Sequence, residues 1–354
     1  ITTQQIELAA KPFIITEYHR HRYWCPTCQS RHTAPVPEQG RSGLFSISLI
    51  AFAAYLKGRC HASFNAMKDF FQEVLGIGVS RGFLAKQIMK TSGSLKETHR
   101  RLVQRLSGEE HLNIDESGWK ERGLKRWIWA FRAEKYAVFI IRGSRGEGVL
   151  EDILGAVFGG IITSDFFGAY RKYSRKSGVL AQFCWAHLIR EVLFLETLKD
   201  KAVVRYGKRI LKQIRLMFQT IQRKGETGEK AWKKRMRRHR ELIVKRALGT
   251  VPEQKEAKLI AKRFRGWEEE YFRFIDRDLE PTNNAAELTI RQAVLDRMVT
   301  QGSRGIRGNE WHERFWTVLT RCNLQYVPII DYLKHCLSVY FDINPSSNCV
   351  NLAS

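Results

Sequence analysis

The sequence predicts a mixed α/β protein of the α+β class, in which a group of strands lies between helical segments. Short apolar runs bounded by polar or Gly-containing turns, which are typical of buried strands, are concentrated between residues 109 and 190. Segments with helical patterns flank them at 41–108 and 191–281. An apolar content of 44% in 354 residues is enough for a sizeable core divided over two or three domains.

The charge balance indicates a polyanionic partner. The chain has 60 Lys and Arg against 36 Asp and Glu, a formal net charge of +24. Such an excess is most typical of proteins that bind nucleic acid, and a ribosome-associated or membrane-surface protein is the alternative. No apolar run reaches the roughly 18 residues that cross a bilayer, so no membrane partner is expected. Seven scattered cysteines suit a reducing cytosol, which predicts a cytoplasmic protein.

Residues 1–40 contain a metal-binding pattern. Cys25 and Cys28 form a Cys-x-x-Cys knuckle after an alternating strand, which is half of a zinc ribbon because two thiolates fit one edge of a tetrahedral zinc site. No second knuckle follows, so the remaining ligands are either histidines or residues preceding Ile1. The start at Ile1 rather than Met predicts a fragment or a processed form. A redox pair is disfavoured because no strand-loop-helix pattern follows.

Residues 41–108 are predicted to be helical. Segments 64–75 and 80–89 flank a Gly-containing turn at 76–78, which is typical of a helix-turn-helix, and Ser80 is the predicted N-cap of the second helix. This pattern favours a DNA-binding region. A short helical hairpin without a role in DNA binding is the alternative.

Between residues 109 and 190 the pattern changes to strands. The predicted strands are 111–114, 126–132, 136–141, 160–163 and 180–183, with a helix at 149–157 and another helix after the last strand. Three antiparallel strands, a helix, a parallel strand, a helix and a further strand make the RNase H-like order. In that order the first and fourth strands are neighbours, so Asp115 and Asp165 are expected to lie together.

Three carboxylates form the candidate catalytic site. Asp115 and Asp165 each follow a short apolar run that ends in a polar, Gly-containing turn, which predicts that strands deliver them to the end of a sheet. Glu287 lies one turn into a helix that follows a turn at 281–284. Oxygen ligands of this kind suit a two-metal phosphoryl-transfer site. Alternatively, the aspartates are ordinary turn residues, and Glu287 caps its helix in a capping box with Asn284.

The segment 191–281 is predicted to be a basic helical insertion into the core. Between residues 201 and 246 there are 17 Lys and Arg against 3 Asp and Glu. This excess is too one-sided for salt-bridged packing and favours phosphate contact over a solvated helix face. The candidate DNA contacts in its densest run are Lys233, Lys234, Arg235, Arg237, Arg238 and Arg240. Further candidates are Arg291 and, in a Gly-rich loop, Arg304 and Arg307. Residues 282–345 are predicted to complete the core, and 346–354 to form a tail.

Four motifs together resemble the insertion-sequence 66 family of bacterial DDE transposases. They are Asp-Glu-Ser-Gly-Trp at 115–119, Ser-Asp-Phe-Phe-Gly-Ala-Tyr at 164–170, Cys-Trp-Ala-His-Leu-Ile-Arg at 184–190 and Asn-Asn-Ala-Ala-Glu at 283–287. The resemblance covers residues 10–340. It implies a retroviral-integrase-like catalytic core with Asp115, Asp165 and Glu287 as its acidic triad, a helical insertion before the glutamate, and a zinc-binding segment followed by a helix-turn-helix-like region.

The resemblance also implies chemistry and partners. The expected activity is cleavage and strand transfer at transposon ends on double-stranded DNA, with two Mg²⁺ or Mn²⁺ ions held by the triad. A homodimer or higher oligomer on DNA, accessory proteins and a bacterial nucleoid location are expected with it. Glu116 is expected on the opposite face of its strand, away from the ions. Cys184 and His187, at i and i+3 on one helix, are interpreted as packing and DNA-end contacts or as a zinc pair.

Two other functions fit the same residues. A domesticated or inactive transposase would bind DNA without chemistry, and the intact triad argues against it. A metal-dependent nuclease or resolvase on the same fold would cut without joining strands. Hydrolysis and strand transfer use the same ligands, so the sequence does not separate these two activities.

Overall fold

The computed structural model describes residue 4 and residues 12–343, so the predicted tail at 346–354 lies outside the described residues. A hairpin near the N-terminus is formed by β1 (Arg22–Cys25) and β2 (Ser30–Thr33). The central sheet consists of β3 (His111–Glu121), β4 (Leu124–Arg132), β5 (Ala137–Arg142), β6 (Ile161–Ser164) and β7 (Leu180–Phe183). These strands agree with the predicted set in number and place, and the α+β class is confirmed.

Helices surround this sheet on both sides. In chain order they are α1 (Ile47–Gly58), α2 (Phe64–Glu73), α3 (Arg81–Ser94), α4 (Lys96–Arg105), α5 (Gly148–Leu154), α6 (Gly168–Ser177), α7 (Trp185–Leu195), α8 (Lys201–Gln222), α9 (Glu229–Leu248), α10 (Lys255–Phe272), α11 (Asn284–Thr300), α12 (Ile306–Leu324) and α13 (Ile329–Tyr340). The predicted helical character of 191–281 is therefore confirmed. The helix predicted at 149–157 ends earlier, because Gly155 takes a left-handed φ of 88°. None of the described helices is long and apolar enough to cross a membrane.

The strand order of the central sheet is β5-β4-β3-β6-β7. β3, β4 and β5 pair antiparallel, whereas β6 pairs parallel with both β3 and β7. The predicted adjacency of the first and fourth strands is confirmed by the pairing of β3 with β6. The chain therefore places the segments that carry Asp115 and Asp165 side by side.

β3 is longer than predicted, which changes the position of Asp115. The apolar run ends at Ile114, but antiparallel pairing with β4 continues to Glu121. A tight turn at Arg122 and Gly123, both with positive φ, closes the hairpin and allows pairing to run up to the turn. β6 pairs with β3 only as far as Asn113. The prediction that Asp115 lies at a strand end is wrong, and so is its interpretation as a turn residue: it lies within β3, just beyond the point where β6 separates.

The two faces of the sheet are covered by different parts of the chain. Leu112 and Ile114 of β3 face a core shared with α5 to α10, which includes the insertion. Trp119 of β3 and Ile128 of β4 face a second core shared with α1 to α3 and α11 to α13. The N-terminal helices therefore pack into one core with the segment that carries Glu287, and this core fixes α11 against β3.

The helix-turn-helix-like region is part of this second core. The predicted cap of α3 is confirmed, because Ser80 Oγ accepts a hydrogen bond from the N–H of Phe83 at 3.1 Å. α3 packs against α1, α12 and α13, and its inward face is buried. Among its charged side chains, Arg81 and Lys86 are exposed. The burial of α3 agrees with the alternative interpretation, a helical hairpin inside the fold. DNA binding through the exposed Arg81 and Lys86 stays a prediction.

Candidate active site

Asp115 lies on the face of β3 that is covered by α11. Its Oδ1 accepts a hydrogen bond from the backbone N–H of Glu116 at 2.9 Å. Burial, together with the negative charges of Glu116, Asp165 and Glu287, raises the pKa of Asp115 to about 7. Asp165 and Glu287 thus lie close enough to Asp115 for their charges to act on it.

Asp165 follows β6 directly, as predicted for a strand-end residue. Its Oδ1 accepts the N–H of Phe167 at 2.9 Å, which forms an Asx-type turn just before α6. The turn hydrogen bond fixes the carboxylate at the end of the strand, where the neighbouring β3 carries Asp115. The alternative interpretation of Asp165 as a turn residue is therefore correct for its local geometry. The same turn places its side chain near Asp115.

Glu287 lies in the first turn of α11, as predicted, but the capping-box interpretation is wrong. α11 begins at Asn284, so its N-cap is Asn283, whose side chain makes no capping hydrogen bond. In a capping box, the glutamate side chain accepts a hydrogen bond from the backbone N–H of the N-cap residue. Here the N–H of Asn283 donates to Cys184 Sγ at 3.1 Å instead. Glu287 Oε1 lies 3.5 Å from His187 Nδ1 and 3.7 Å from Arg190.

Asn283 fixes the start of α11 against β3. Its Nδ2 donates to the carbonyl of Ile114 at 2.9 Å, and its Oδ1 accepts from Nδ2 of Asn113 at 3.0 Å. The side chain is 1% exposed, so both hydrogen bonds are shielded from water. Because Ile114 directly precedes Asp115, this contact sets the distance between the strand and the helix that carries Glu287. In the sequence, the Asn pair indicates only a turn and a cap, so this connection was not predicted.

Backbone hydrogen bonds connect the remaining strand ends to the same point. The N–H of Cys184 donates to the carbonyl of Ser164 at 2.8 Å, which links the end of β7 to the residue before Asp165. The N–H of Trp185 donates to the carbonyl of Pro281 at 3.0 Å, which links α7 to the segment that leads into α11. The ends of β6 and β7 and the start of α11 are therefore held as one unit.

Glu116 lies on the opposite face of β3, as predicted. It is 7% exposed; Tyr170 Oη donates to its carboxylate, and Arg145 forms an ion pair with it at 2.8 Å. The pKa of Glu116 is raised to about 7, because burial outweighs the lowering effect of the Tyr170 and Arg145 contacts. The carboxylate oxygens of Glu116 are thus bound by Tyr170 and Arg145. The side chain of Glu116 affects Asp115 through its negative charge.

Cys184 and His187 lie on the same side of the start of α7, as predicted from their spacing. Their ligand atoms and that of Glu287 lie within 4.8 Å of one another. Among the described residues, the other group of three or more side chains with this spacing is Cys25, Cys28 and His32. Asp115, Asp165 and Glu287 do not form such a group, so these carboxylates are spaced more widely than the ligands of a single ion.

The N-terminal hairpin brings Cys25, Cys28 and His32 together, and this hairpin ligand group could hold zinc. Cys28 Sγ lies 3.0 Å from His32 Nε2. Hydrogen bonds from the Cys28 backbone, and then from its side chain, lower the pKa of the Cys25 thiol, which favours the thiolate that binds metal. His32 is the histidine that joins the cysteine pair, whereas His19 lies 3.7 Å from Glu17.

The basic run of α9 is divided between paired and unpaired cations. Three of the six predicted contacts form ion pairs and are termed the paired trio: Lys233 with Glu229 at 2.7 Å, Arg237 with Asp276 at 2.9 Å and Arg240 with Glu268 at 2.6 Å. The prediction that the excess is too one-sided for salt bridges is wrong for these, because acids beyond 201–246 pair with two of them. The exposed trio consists of Lys234, Arg235 and Arg238, for which the described part of the chain shows no ion pair.

The Gly-rich loop is attached to the end of β3. The N–H of Ser303 donates to the carbonyl of Lys120 at 2.9 Å, and the N–H of Arg122 donates to the carbonyl of Ser303 at 2.9 Å. Gly302 has a φ of 106° and lies so close to the Lys120 carbonyl that a Cβ would collide with it. The loop therefore presents the exposed side chains of Arg304 and Arg307 at a fixed place, and Arg291 on α11 is exposed as well.

Comparison with known proteins identifies the family of the chain. A family model described as the transposase IS66 family, where IS66 denotes insertion sequence 66, matches residues 42–310. This match points first to a class of protein, the transposases, and therefore to DNA as the partner. Because the match covers more than half of the chain, the chain belongs to the IS66 family of transposases. The comparison with curated proteins gives no match.

Proposed function

We propose that the chain catalyses metal-dependent cleavage and strand transfer at the ends of its insertion sequence. The observation that carries the proposal is the meeting of Asp115, Asp165 and Glu287, in which the charges of Asp165 and Glu287 act on Asp115 in addition to the larger effects of burial and Glu116. The sheet order, with three antiparallel strands followed by two parallel ones, is the RNase H-like order and supports a catalytic core of that type. The 91-residue segment 191–281 then corresponds to an insertion into this core.

The triad residues fit a pair of hard divalent cations. Burial and three acidic neighbours disfavour the ionised form of Asp115, and a bound cation would remove that penalty. Carboxylate oxygens are the donors that Mg²⁺ and Mn²⁺ prefer. The wide spacing of the three carboxylates suits two ions better than one. Asp115, Asp165 and Glu287 would together hold the two ions.

The ions, when bound, would supply charge stabilisation for the attacking and leaving oxygens of the phosphodiester. The chain's own residues then have separate tasks. Asn283 holds the helix of Glu287 against β3, and the turn at Asp165 keeps that carboxylate at the strand end. The exposed trio, with Arg291, Arg304 and Arg307, would bind phosphates of double-stranded DNA. Assembly as a homodimer or higher oligomer, accessory proteins and nucleoid location are carried over from the family resemblance.

The test is a cleavage and joining assay with candidate element ends. Asp115→Asn, Asp165→Asn and Glu287→Gln are each expected to abolish Mg²⁺-dependent cleavage while DNA binding stays near normal, because the amides keep the shape but lose the charge. Asp152→Asn, an exposed acid on α5, is the matched control and should stay active. Any triad variant that cuts at the wild-type rate is not a metal ligand.

The same assay distinguishes the alternatives. DNA binding without cleavage by the wild-type chain would identify a domesticated or inactive transposase. Cleavage without joined products would identify a nuclease or resolvase. Joined products that depend on all three carboxylates are the result expected from the proposal.

A further inference from the structure

The cluster of Cys184, His187 and Glu287 contains buried polar atoms without a hydrogen-bond partner. His187 Nδ1 and Glu287 Oε1 are shielded from solvent and have no hydrogen-bond partner among the described residues, although they lie only 3.5 Å apart. A buried polar atom without a partner costs free energy, and native proteins contain few of them. Two such atoms facing each other beside a cysteine sulfur point to a missing shared ligand.

The sulfur of Cys184 is buried, which raises the pKa of the thiol, although nearby backbone N–H groups lower it. It lies at the N-terminus of α7, where the backbone N–H groups of Ala186 and His187 are directed to it, and it also accepts the N–H of Asn283 at 3.1 Å. Cys184 is 1% exposed. N–H groups directed to a sulfur at a helix N-terminus stabilise its negative charge and are a common surrounding of metal-bound thiolates.

The three donor types select among metals. A thiolate, an imidazole and a carboxylate together suit Zn²⁺, which commonly takes three protein ligands and leaves a fourth position open. Mg²⁺ takes oxygen ligands and has little affinity for sulfur. The ligand atoms lie within 4.8 Å of one another, which is compatible with a single tetrahedral ion. Arg190, 3.7 Å from Glu287 Oε1, is the charge that would oppose a cation at this site.

We propose that Cys184, His187 and Glu287 form a zinc site that shares Glu287 with the catalytic ions. Zinc at this site holds Glu287 towards α7, away from Asp115 and Asp165, and so inhibits Mg²⁺-dependent cleavage reversibly. The inhibition rests on the proposed function of Glu287. The binding of zinc does not, because it depends only on the three side chains and can be measured without DNA.

Binding is tested in the full chain with Co²⁺ as a spectroscopic probe of the zinc site. The hairpin ligand group is first removed by Cys25→Ser and Cys28→Ser, since it could bind the same ion. This background is expected to show a thiolate-to-cobalt charge-transfer band that one equivalent of Zn²⁺ removes. Adding Cys184→Ser should abolish the band, whereas the matched control Cys60→Ser, at an exposed cysteine outside the cluster, should retain it.

Two further variants protect the test against simple unfolding. His187→Gln, at a half-buried position, should weaken binding at least about tenfold while circular dichroism stays unchanged. Arg190→Gln should strengthen binding, because it removes the opposing charge. The proposal is overturned if the background protein shows no thiolate band, or if the band survives Cys184→Ser.

The inhibitory step is tested by adding Zn²⁺ to Mg²⁺-dependent cleavage reactions of the same background. The zinc concentration for half-inhibition should rise at least about tenfold in the His187→Gln variant, with each protein compared to its own zinc-free rate. Zinc that binds to the cluster without inhibiting cleavage would overturn the sharing of Glu287. A chain that never cleaves DNA would refute the proposed function instead, and the cobalt titration would still decide the binding.

Discussion

Replacing Asn283 with alanine should impair catalysis through the position of α11. The amide of Asn283 makes two buried hydrogen bonds, one with the side chain of Asn113 and one with the carbonyl of Ile114. Asn283→Ala removes both bonds and leaves both partners buried and unsatisfied. The first turn of α11, which carries Glu287, then loses its side-chain attachment to the strand that carries Asp115.

The magnitude follows from these two bonds. A buried group that loses its hydrogen-bond partner costs about 1–3 kcal/mol, so Asn283→Ala should lower the free energy of unfolding by about 2–4 kcal/mol. Domains of ordinary stability, about 5–15 kcal/mol, stay folded after such a loss. A displacement of Glu287 by about 1 Å would reduce the cleavage rate on the order of 100-fold.

The assay combines denaturant unfolding with cleavage at saturating Mg²⁺ and DNA. Asn284→Ala is the matched control, because the adjacent asparagine is exposed whereas Asn283 is buried. The control should change the free energy of unfolding by less than about 0.5 kcal/mol and leave cleavage near wild type. Equal effects of the two substitutions would refute the reasoning. A large loss of stability with an unchanged cleavage rate would show that Asn283 supports the fold without positioning Glu287.

Further expected outcomes follow from charge and burial. The Mg²⁺ concentration for half-maximal cleavage should fall as pH rises towards 7 and level off above pH 7. The reason is that the pKa of Asp115 is raised to about 7, so that below this pH a cation must displace its proton. Metal titrations at several pH values measure this. Burial lowers the pKa of His312 to about 4, so the folded state resists protonation of this histidine. The free energy of unfolding should be highest above about pH 6.5 and should fall by up to about 3 kcal/mol as pH falls towards 4. Denaturant unfolding of His312→Gln should not show this loss. Changing the exposed trio to Gln should make the plot of log K against log salt shallower by roughly two to three, equally for specific and random duplexes, whereas the same change in the paired trio should have less effect. Elemental analysis of a chain that carries Cys184→Ser should find about one zinc, which is lost when Cys25→Ser is added, and a folded, zinc-free Cys184→Ser protein would contradict this.

The sequence predicted the strands and the adjacency of β3 and β6 because both depend on local patterns. Short apolar runs mark β6 and β7 almost to the residue, and the order of antiparallel and parallel strands then makes the strands of Asp115 and Asp165 neighbours. The extent of β3 was underestimated, since its second half is polar and is held by pairing with β4. Alternation alone does not reveal a strand whose partner supplies most of the apolar surface.

The contacts that sequence reasoning missed join residues far apart in the chain. Asn283 and Ile114 are separated by 169 positions, and the acids that pair with Arg237 and Arg240 lie 39 and 28 positions away. A local pattern assigns Asn before a helix to a cap and a cationic run to an unpaired surface. Only the folded chain shows that the amide reaches a strand and that half of the run has acidic partners.

The hydrogen bond between Trp185 and Pro281 has a consequence for how this protein can evolve. It joins the two ends of the helical insertion 191–281, so the polypeptide leaves the sheet and returns to it at one point beside Asp165 and Glu287. Lengthening or shortening α8 and α9 far from this point would leave the relative positions of Asp165 and Glu287 unchanged. The aromatic contact of Phe183 with Trp267, with ring centres 5.4 Å apart, anchors α10 to the sheet. The length and charge of this insertion are thus free to differ between related transposases, whereas the aromatic contact between Phe183 and Trp267 must be retained.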